Sequence, residues 1–400
     1  MSDAPSHIVI VGASAAGLTT AAALRRNGYD RALTLVDSER HTPYDRPPLA
    51  KQLLTGEWGP ERIGLKTDAD LAALGVSIRS GVTATGLDIG RSVVSLSDAT
   101  DLAFDRLVVA TGVTPRVLPD STHLAGVHTL RTLDDALGLK EELVAGRHLV
   151  IVGGGFLGTE VAAAAVGLGL TVTLVNALPT PLERGLGPAI GAEVAALHRL
   201  HGVELRTGAA SAVRSLVAAD GRVTGVEFAD GSRLGADVVF VAIGATPAIG
   251  WLAGSGLRLG DGVECAPDLS AAPGVYAAGD VARWDNPAFD QSMRVEHRTN
   301  ATEQAVHVAG RLLDGAPDAF ASVPYFWTDQ YDLKLQVHGW IKGYDEVRIL
   351  EGSLVERRMI AVFRRGDRVV GALGVGAAKA LRQWRQLIVD RTAWADVVGS

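Results

Sequence analysis

Cysteine is almost missing from the 400 residues of this chain: Cys265 stands alone. A single thiol excludes an internal disulfide, a Cys-x-x-Cys redox pair and a cysteine-rich zinc site, and fits a cytoplasmic protein. Cys265 itself is expected in a loop, without a partner and inert. Positive charge is also short, with 38 Lys and Arg against 45 Asp and Glu and a net charge of −7. That balance disfavours nucleic acid, because no excess of cations exists to neutralise phosphates, yet it leaves room for a local basic patch that meets an acidic protein. No uncharged apolar run reaches bilayer-spanning length, so no membrane partner is expected. The opening MSDAPSHIVIV enters an apolar strand almost at once, which leaves no room for a signal peptide. Proline is scarce at 16 against 47 glycines, a balance that suits many strand-to-helix turns rather than disorder. The length calls for two or three domains.

What is present is a strand, a glycine-punctuated turn, a helix and a second strand ending in an acid, over residues 8–37. The turn runs Gly12, Ala13, Ser14, Ala15, Ala16, Gly17, a G-x-S-x-x-G version of the dinucleotide fingerprint. In such a turn Gly12 supplies the tight bend, the small Ser14 admits a pyrophosphate to the backbone, and Gly17 packs helix on strand. The first N–H groups of the helix then face the phosphates. Asp37, twenty residues past Gly17, is placed to accept from a ribose diol. The alternative is a small-residue buried turn without a ligand. Ser14 is a poor nucleophile candidate, since a hydrolase elbow needs glycine where Ala16 stands.

The pattern recurs with the full G-x-G-x-x-G. Leu149 to Val152 runs into Gly153, Gly154, Gly155, Phe156, Leu157 and Gly158, followed by an alanine-rich helix and a strand from Leu170 to Val175. One dinucleotide cannot fill both turns, so two are implied. Glu160, two residues past the last glycine, is expected on the first helical turn, where the dipole favours its charge. The second strand ends in Asn176 instead of an acid; Asn bonds ribose hydroxyls without repelling a 2′-phosphate, so NADPH stays open beside NADH. Arg184 follows eight residues on. Strands near 203–206, 223–228 and 238–242 are expected to complete this domain, and Val241 to Pro247, with Gly244, echo Ala110 to Pro115.

Further motifs stand between and after these. Tyr44-Asp45-Arg46-Pro47-Pro48-Leu49-Ala50-Lys51 holds two cations beside a double proline, which fixes the backbone; a solvated surface turn is the plain alternative. Thr129 to Ala136 reads TLRTLDDA, where Arg131 could pair with Asp134 or Asp135. Val275 to Asp280 reads as a strand ending in Gly279-Asp280 before a helix, where Asp280 could be an N-cap. Arg294-Val295-Glu296-His297-Arg298 leads into a helix over 298–313. From about 320 short aromatic strands begin with Tyr325-Phe326-Trp327-Thr328-Asp329-Gln330; four of the seven tryptophans lie there, most expected in a sheet core. His198 and His201 lie three apart on a helix, but nothing completes a metal site, so both are expected to be exposed.

On these segments the chain resembles, over essentially its whole length, the FAD-dependent ferredoxin reductases that serve cytochromes P450 and ring-hydroxylating dioxygenases. That family includes the putidaredoxin, rhodocoxin and biphenyl-dioxygenase ferredoxin reductases, within the glutathione-reductase-like flavoproteins. The octapeptide matches the family's YxRPPLSK, with Ala50 for the commoner Ser; the others match xLRTLDDA, YAAGD and xFWSDQ. The resemblance implies an α/β fold with two Rossmann-like dinucleotide-binding domains and a C-terminal α+β domain: FAD over 1–112 and 242–319, NAD(P) over 113–241, and the C-terminal domain over 320–400.

It implies FAD contacts from Gly12, Ser14, Ala15, Ala16, Gly17, Asp37, Arg46, Lys51, Val82, Arg131, Gly279, Asp280, Arg298 and Trp327. NADH contacts fall to Gly153, Gly155, Phe156, Leu157, Gly158, Glu160, Asn176, Arg184 and Gly244. Lys51 and Glu160 are the implied catalytic pair, in contact across the domain boundary beside the flavin; no metal is implied. The partner implied is an iron–sulfur ferredoxin; on electrostatic grounds Arg298, Lys334, Lys342, Arg382 and Arg385 are candidate contacts for an acidic one, with plain solvated cations as the alternative. Rubredoxin or quinone reduction, or redox-controlled association of the apoptosis-inducing-factor kind, are the competing readings. Disulfide reduction is removed by the missing cysteine pair.

Overall fold

The computed structural model describes residues 5–314 and 318–398, in two compact units. The first comprises Met1–Asp45, Glu61–Thr114 and Thr246–Pro324; the second comprises Arg46–Pro60, Pro115–Ala245 and Tyr325–Ser400.

The first unit is built on a six-stranded sheet in which His7–Val11 lies between Ala32–Asp37 and Arg106–Val109, parallel to both. Ile8 through Val11 are buried, the unbroken apolar run of a strand covered on both faces. The helices Ala15–Arg26 and Arg298–Asp314 pack against each other. A three-stranded and a four-stranded sheet accompany this core.

The second unit repeats the scheme. His148–Val152 lies between Thr171–Asn176 and Val238–Val241 in a five-stranded parallel sheet, and Phe156–Gly167 is its crossover helix. The repeat extends to single hydrogen bonds. His7 Nε2 sits 2.9 Å from Thr34 Oγ1, as His148 Nε2 does from Thr173 Oγ1. The His7 and His148 N–H groups donate to the carboxylates of Asp105 and Asp237 at 2.9 and 2.8 Å. The strand Arg222–Phe228 does not join the parallel sheet; it pairs with Val213–Ala219 and Arg233–Gly235 in an antiparallel one.

The same unit carries a five-stranded antiparallel sheet with Tyr325–Gln330 at its edge, backed by the helix Ala378–Val389. Its core is mostly aliphatic, with Leu335, Val337, Met359, Ala361 and Leu373 fully covered beside Phe363. Of the four C-terminal tryptophans only Trp394 is buried, so the expectation of a tryptophan-filled sheet core fails. Branched aliphatics fill the pleat, while Trp327 and Trp394 lie near the cations Lys51, Lys334, Arg348 and Arg364.

Candidate functional site

Both glycine turns are built for close approach. Gly12 has φ +108°, and a Cβ there would fall 2.3 Å from the Ala110 carbonyl oxygen; Gly153, at +117°, would meet Ala242 at 2.2 Å. A Cβ on Gly17 would lie 1.7 Å from Gly12 O, and one on Gly158 2.0 Å from Gly153 O, so each helix starts directly on its own turn. Gly155 is different, because nothing stands within 4 Å of the space a Cβ would enter. The helices Ala15–Arg26 and Phe156–Gly167 have no side-chain cap and no acid in their first turns. Their leading N–H groups are therefore left for an anion, and the open groove over Gly155 fits a pyrophosphate. Glu160 is not on the first turn as expected but one turn in.

Asn176 is bound to its own loop. Its Nδ2 donates to the carbonyls of Leu178 and Thr180 at 3.1 and 2.7 Å, and its Oδ1 accepts weakly from Gly154 N–H at 3.4 Å. A carboxylate in this position would face two carbonyl oxygens, which is the physical reason an amide stands where an acid is usual. Arg184 is exposed and lies in a short helix that ends at Gly187.

In the second unit a compact charge cluster forms around Lys51. The prolines 47 and 48 begin a 3-10 turn that delivers Lys51 at its end. Lys51 Nζ lies 3.1 Å from Glu160 Oε1 and 2.7 Å from Asp329 Oδ2, with the Lys51 and Glu160 side chains only 12% and 11% exposed. Lys334 Nζ binds the other Asp329 oxygen at 2.5 Å. Glu160 Oε1 also accepts from the Thr328 hydroxyl at 2.7 Å and from the Asp329 N–H at 3.1 Å. The latter satisfies a backbone donor on the edge strand of the sheet. Burial pushes the Glu160 carboxyl above its usual range, with Lys51 and Thr328 pulling the other way. Burial also raises Asp329, but Lys334 and Lys51 outweigh it and leave Asp329 below the usual range. Lys51 and Lys334 stand 5.8 and 5.5 Å from the centroid of the Trp327 ring.

Arg46 donates to the Arg131 carbonyl, and Arg131 N–H is held by Asp135 at 2.9 Å within the capping box that Thr132 and Asp135 form. In the first unit Asp37 ends its strand, and its backbone oxygen accepts from Val82 N–H at 2.9 Å. Gly279 has φ +82° and donates its N–H to Gln304 Oε1 at 2.8 Å. Asp280 precedes no helix, contrary to the sequence reading; the chain enters the strand Ala282–Asn286. Arg298 is paired with Asp45.

Two other expectations are overturned. His198 is fully buried rather than exposed: the helix Pro188–Leu200 turns it inward, where its Nε2 meets Gln330 Oε1 at 3.0 Å. His201 is exposed and stacks on Tyr331. Cys265 lies not in a loop but at the end of the buried strand Gly262–Cys265, where burial raises its thiol pKa to about 12. Among the described residues no group of three or more His, Cys, Asp or Glu could hold a metal, and no helix is long and apolar enough to cross a membrane. Sequence reasoning missed Thr328, Asp329 and Gln330 as partners of the Lys51 cluster; nothing in the polar run after Trp327 marks them as buried.

A doubled βαβ architecture with a glycine turn after the first strand of each copy, followed by a C-terminal sheet domain, defines the class: a glutathione-reductase-like protein. Comparison with known proteins then gives the family. Residues 6–305 match the model described as pyridine nucleotide-disulphide oxidoreductase, and residues 325–397 match the reductase C-terminal model. Putidaredoxin reductase of Pseudomonas putida is 35% identical over 394 residues, covering 97% of this chain and 93% of that protein. The ferredoxin–NAD(+) reductase component of the p-cumate 2,3-dioxygenase system, from the same species, is 36% identical over 392 residues, 97% and 94% of the two chains. The crystal structure of the covalent putidaredoxin reductase–putidaredoxin complex matches with a TM-score of 0.92 at 34% identity, covering 97% of this chain and 94% of the other. The chain belongs to the pyridine nucleotide-disulphide oxidoreductase family.

Proposed function

We propose that this protein is an FAD-containing reductase that passes electrons from NADH to a small iron–sulfur ferredoxin serving a cytochrome P450 or a ring-hydroxylating dioxygenase. The observation that carries the reading is a doubled, uncapped glycine turn in a chain that matches ferredoxin reductases from end to end. The FAD domain is taken as 1–112 and 242–319, the NAD domain as 113–241 and the C-terminal domain as 320–400, in the cytoplasm.

FAD, when bound, accepts a hydride from NADH and gives electrons up singly. The protein's own part is binding, orientation and charge. Gly12 to Gly17 receive the pyrophosphate of FAD and Asp37 its adenosine ribose, with Val82, Gly279, Asp280, Arg298, Arg46, Arg131 and Trp327 completing the contacts. Gly153 to Gly158 receive NADH, with Asn176, Arg184 and Gly244 beside it. Lys51 and Glu160, 3.1 Å apart, would set the charge beside the flavin and the nicotinamide. Asn176 supplies no acid against a 2′-phosphate, yet no arginine follows it directly to receive one, Arg184 standing eight residues on, which favours NADH.

The purified protein is expected to be yellow, to be reduced faster by NADH than by NADPH, and to reduce an acidic ferredoxin in multiple turnovers. A colourless protein that takes up no FAD overturns the reading.

A further inference from the structure

Behind Glu160 lies a line of polar groups, buried except for the half-buried Tyr331 at its end, to which the proposed reaction assigns no role. Tyr331 Oη is 2.9 Å from His198 Nδ1, and His198 Nε2 is 3.0 Å from Gln330 Oε1. Gln330 Nε2 lies 2.9 Å from both Thr159 Oγ1 and Thr328 Oγ1, and Thr328 Oγ1 lies 2.7 Å from Glu160 Oε1. With Glu160 ionised, Thr328 donates to it and must accept from Gln330, and one arrangement of hydrogens then satisfies the line. The Thr159 hydroxyl must donate to the Gly155 or Phe156 carbonyl, at 3.1 and 3.0 Å, so it accepts from Gln330. That places both amide hydrogens on the two threonines and turns the Gln330 oxygen to His198. His198 must then carry its hydrogen on Nε2, leaving Nδ1 to accept from Tyr331.

We propose that Tyr331, His198 and Gln330 are positioning residues, forming a one-way hydrogen-bond chain that fixes the Thr328 hydroxyl as a donor to Glu160 and keeps that carboxylate placed and ionised. From Tyr331 through His198, Gln330 and Thr328 one donor of each group points toward Glu160, and only the second Gln330 hydrogen leaves the line, to Thr159. Gln330 is the branch point, sorting one hydroxyl toward the glycine turn and the other toward the carboxylate. Burial lowers the His198 pKa to about 4, so the ring stays neutral and the direction of the line is constant at neutral pH. The other charged groups at this carboxylate are Lys51 and Asp329, with Lys334 behind Asp329 and His201 stacked on Tyr331 at 3.6 Å. The inference rests on the reading that Glu160 stands beside the nicotinamide.

The test uses the FAD-loaded protein. Long-range proton–nitrogen spectra of histidine-labelled protein are expected to show one neutral Nε2–H histidine that does not titrate between pH 5 and 8 and disappears in His198→Gln. Infrared titration of the Glu160 carboxyl, assigned by its loss in Glu160→Gln, is expected to move up by about one pH unit in Gln330→Met. Hydride transfer from NADH at neutral pH should slow by roughly tenfold in the same variant. Tyr331→Phe removes one oxygen and keeps the ring stack, so it serves if Gln330→Met fails to fold; there His198 Nδ1 loses its donor and its nitrogen resonance is expected to shift, while the Nε2–H tautomer that Gln330 fixes persists. A Glu160 titration unchanged by Gln330→Met, or an Nδ1–H tautomer of His198 in the parent protein, overturns the chain. Hydride transfer unchanged in Glu160→Gln overturns the reading of Glu160 instead, and the infrared titration still decides the chain.

Discussion

At the residue scale the balance of charge around Lys51 decides most. One ammonium is shared between two carboxylates in a nearly closed site, and a second, from Lys334, balances the charge. Breaking a buried pair from one side leaves an uncompensated charge and costs about 3–5 kcal/mol, whereas removing both partners costs far less. Lys51→Met is therefore expected to slow flavin reduction by NADH in stopped-flow measurements while FAD stays bound, and to lower the melting temperature. The double variant Lys51→Met/Glu160→Gln should recover part of that loss; purely additive melting shifts would show that the two groups do not interact. A second residue-scale prediction concerns Gly158. A Cβ there would lie 2.0 Å from a backbone oxygen that no rotamer can move. Gly158→Ala is expected to destabilise by about 1–3 kcal/mol or more and to weaken NADH binding, read by thermal melting and by the NADH concentration dependence of reduction. Gly155→Ala, with open space around it, should melt like the parent and lose affinity for NADH alone.

Elements place these residues. The helix Leu133–Glu142 starts in a capping box in which Thr132 Oγ1 accepts from Asp135 N–H at 3.1 Å and Asp135 accepts from Thr132 N–H at 2.9 Å. Asp135 also holds Arg131 N–H, so the cap and the Arg46–Arg131 contact are one structure. Thr132→Ala is expected to cost about 1 kcal/mol, measured by thermal denaturation. The edge strand Tyr325–Gln330 works through its pleat: Phe326, Thr328 and Gln330 share one face, and Phe326 packs edge-on against Phe156 at 5.1 Å. Burial of Thr328 and Gln330 on that face is what turns a surface-looking TDQ sequence into the support of Glu160.

For the whole molecule, acid sensitivity follows from histidines held neutral. Burial lowers His198 and His338 to about 4 and His297 to about 3. Each takes up a proton on unfolding below its ordinary pKa near 6.5 but not in the folded state, so stability rises with pH across that window. Each contributes a slope of about 1.4 kcal/mol per pH unit between its folded and unfolded values and none above it. Melting temperature should fall steeply from pH 6.5 toward 4, and His198→Gln should flatten the fall. Exposed Lys342, Arg382 and Arg385 remain available to an acidic acceptor, whereas Arg298 and Lys334 are already paired. Ferredoxin reduction is expected to weaken with added salt and in Arg382→Glu, while reduction by NADH is unchanged. Equal salt dependence of both half-reactions would argue against docking there.

The sequence by itself determined the doubled scheme. A strand of unbroken apolar residues, a glycine turn and a small-residue helix can form one local structure, because only glycine tolerates φ above +100° at residues 12 and 153 and only a missing Cβ lets Gly17 and Gly158 sit on the turn. Such constraints act within a few residues, so spacing alone reveals them. Contacts between distant segments were legible only where a known family supplied them, as for Lys51 and Glu160. Tertiary structure decided the rest. It put Asp329 on Lys51, turned His198 inward onto Gln330, set Asp280 in a turn before a strand, and occupied the Asn176 amide with its own loop. For Asp329 and His198 the physical reason is the same: a polar side chain takes its role from the partner that burial forces on it, and that partner lies far away in the chain.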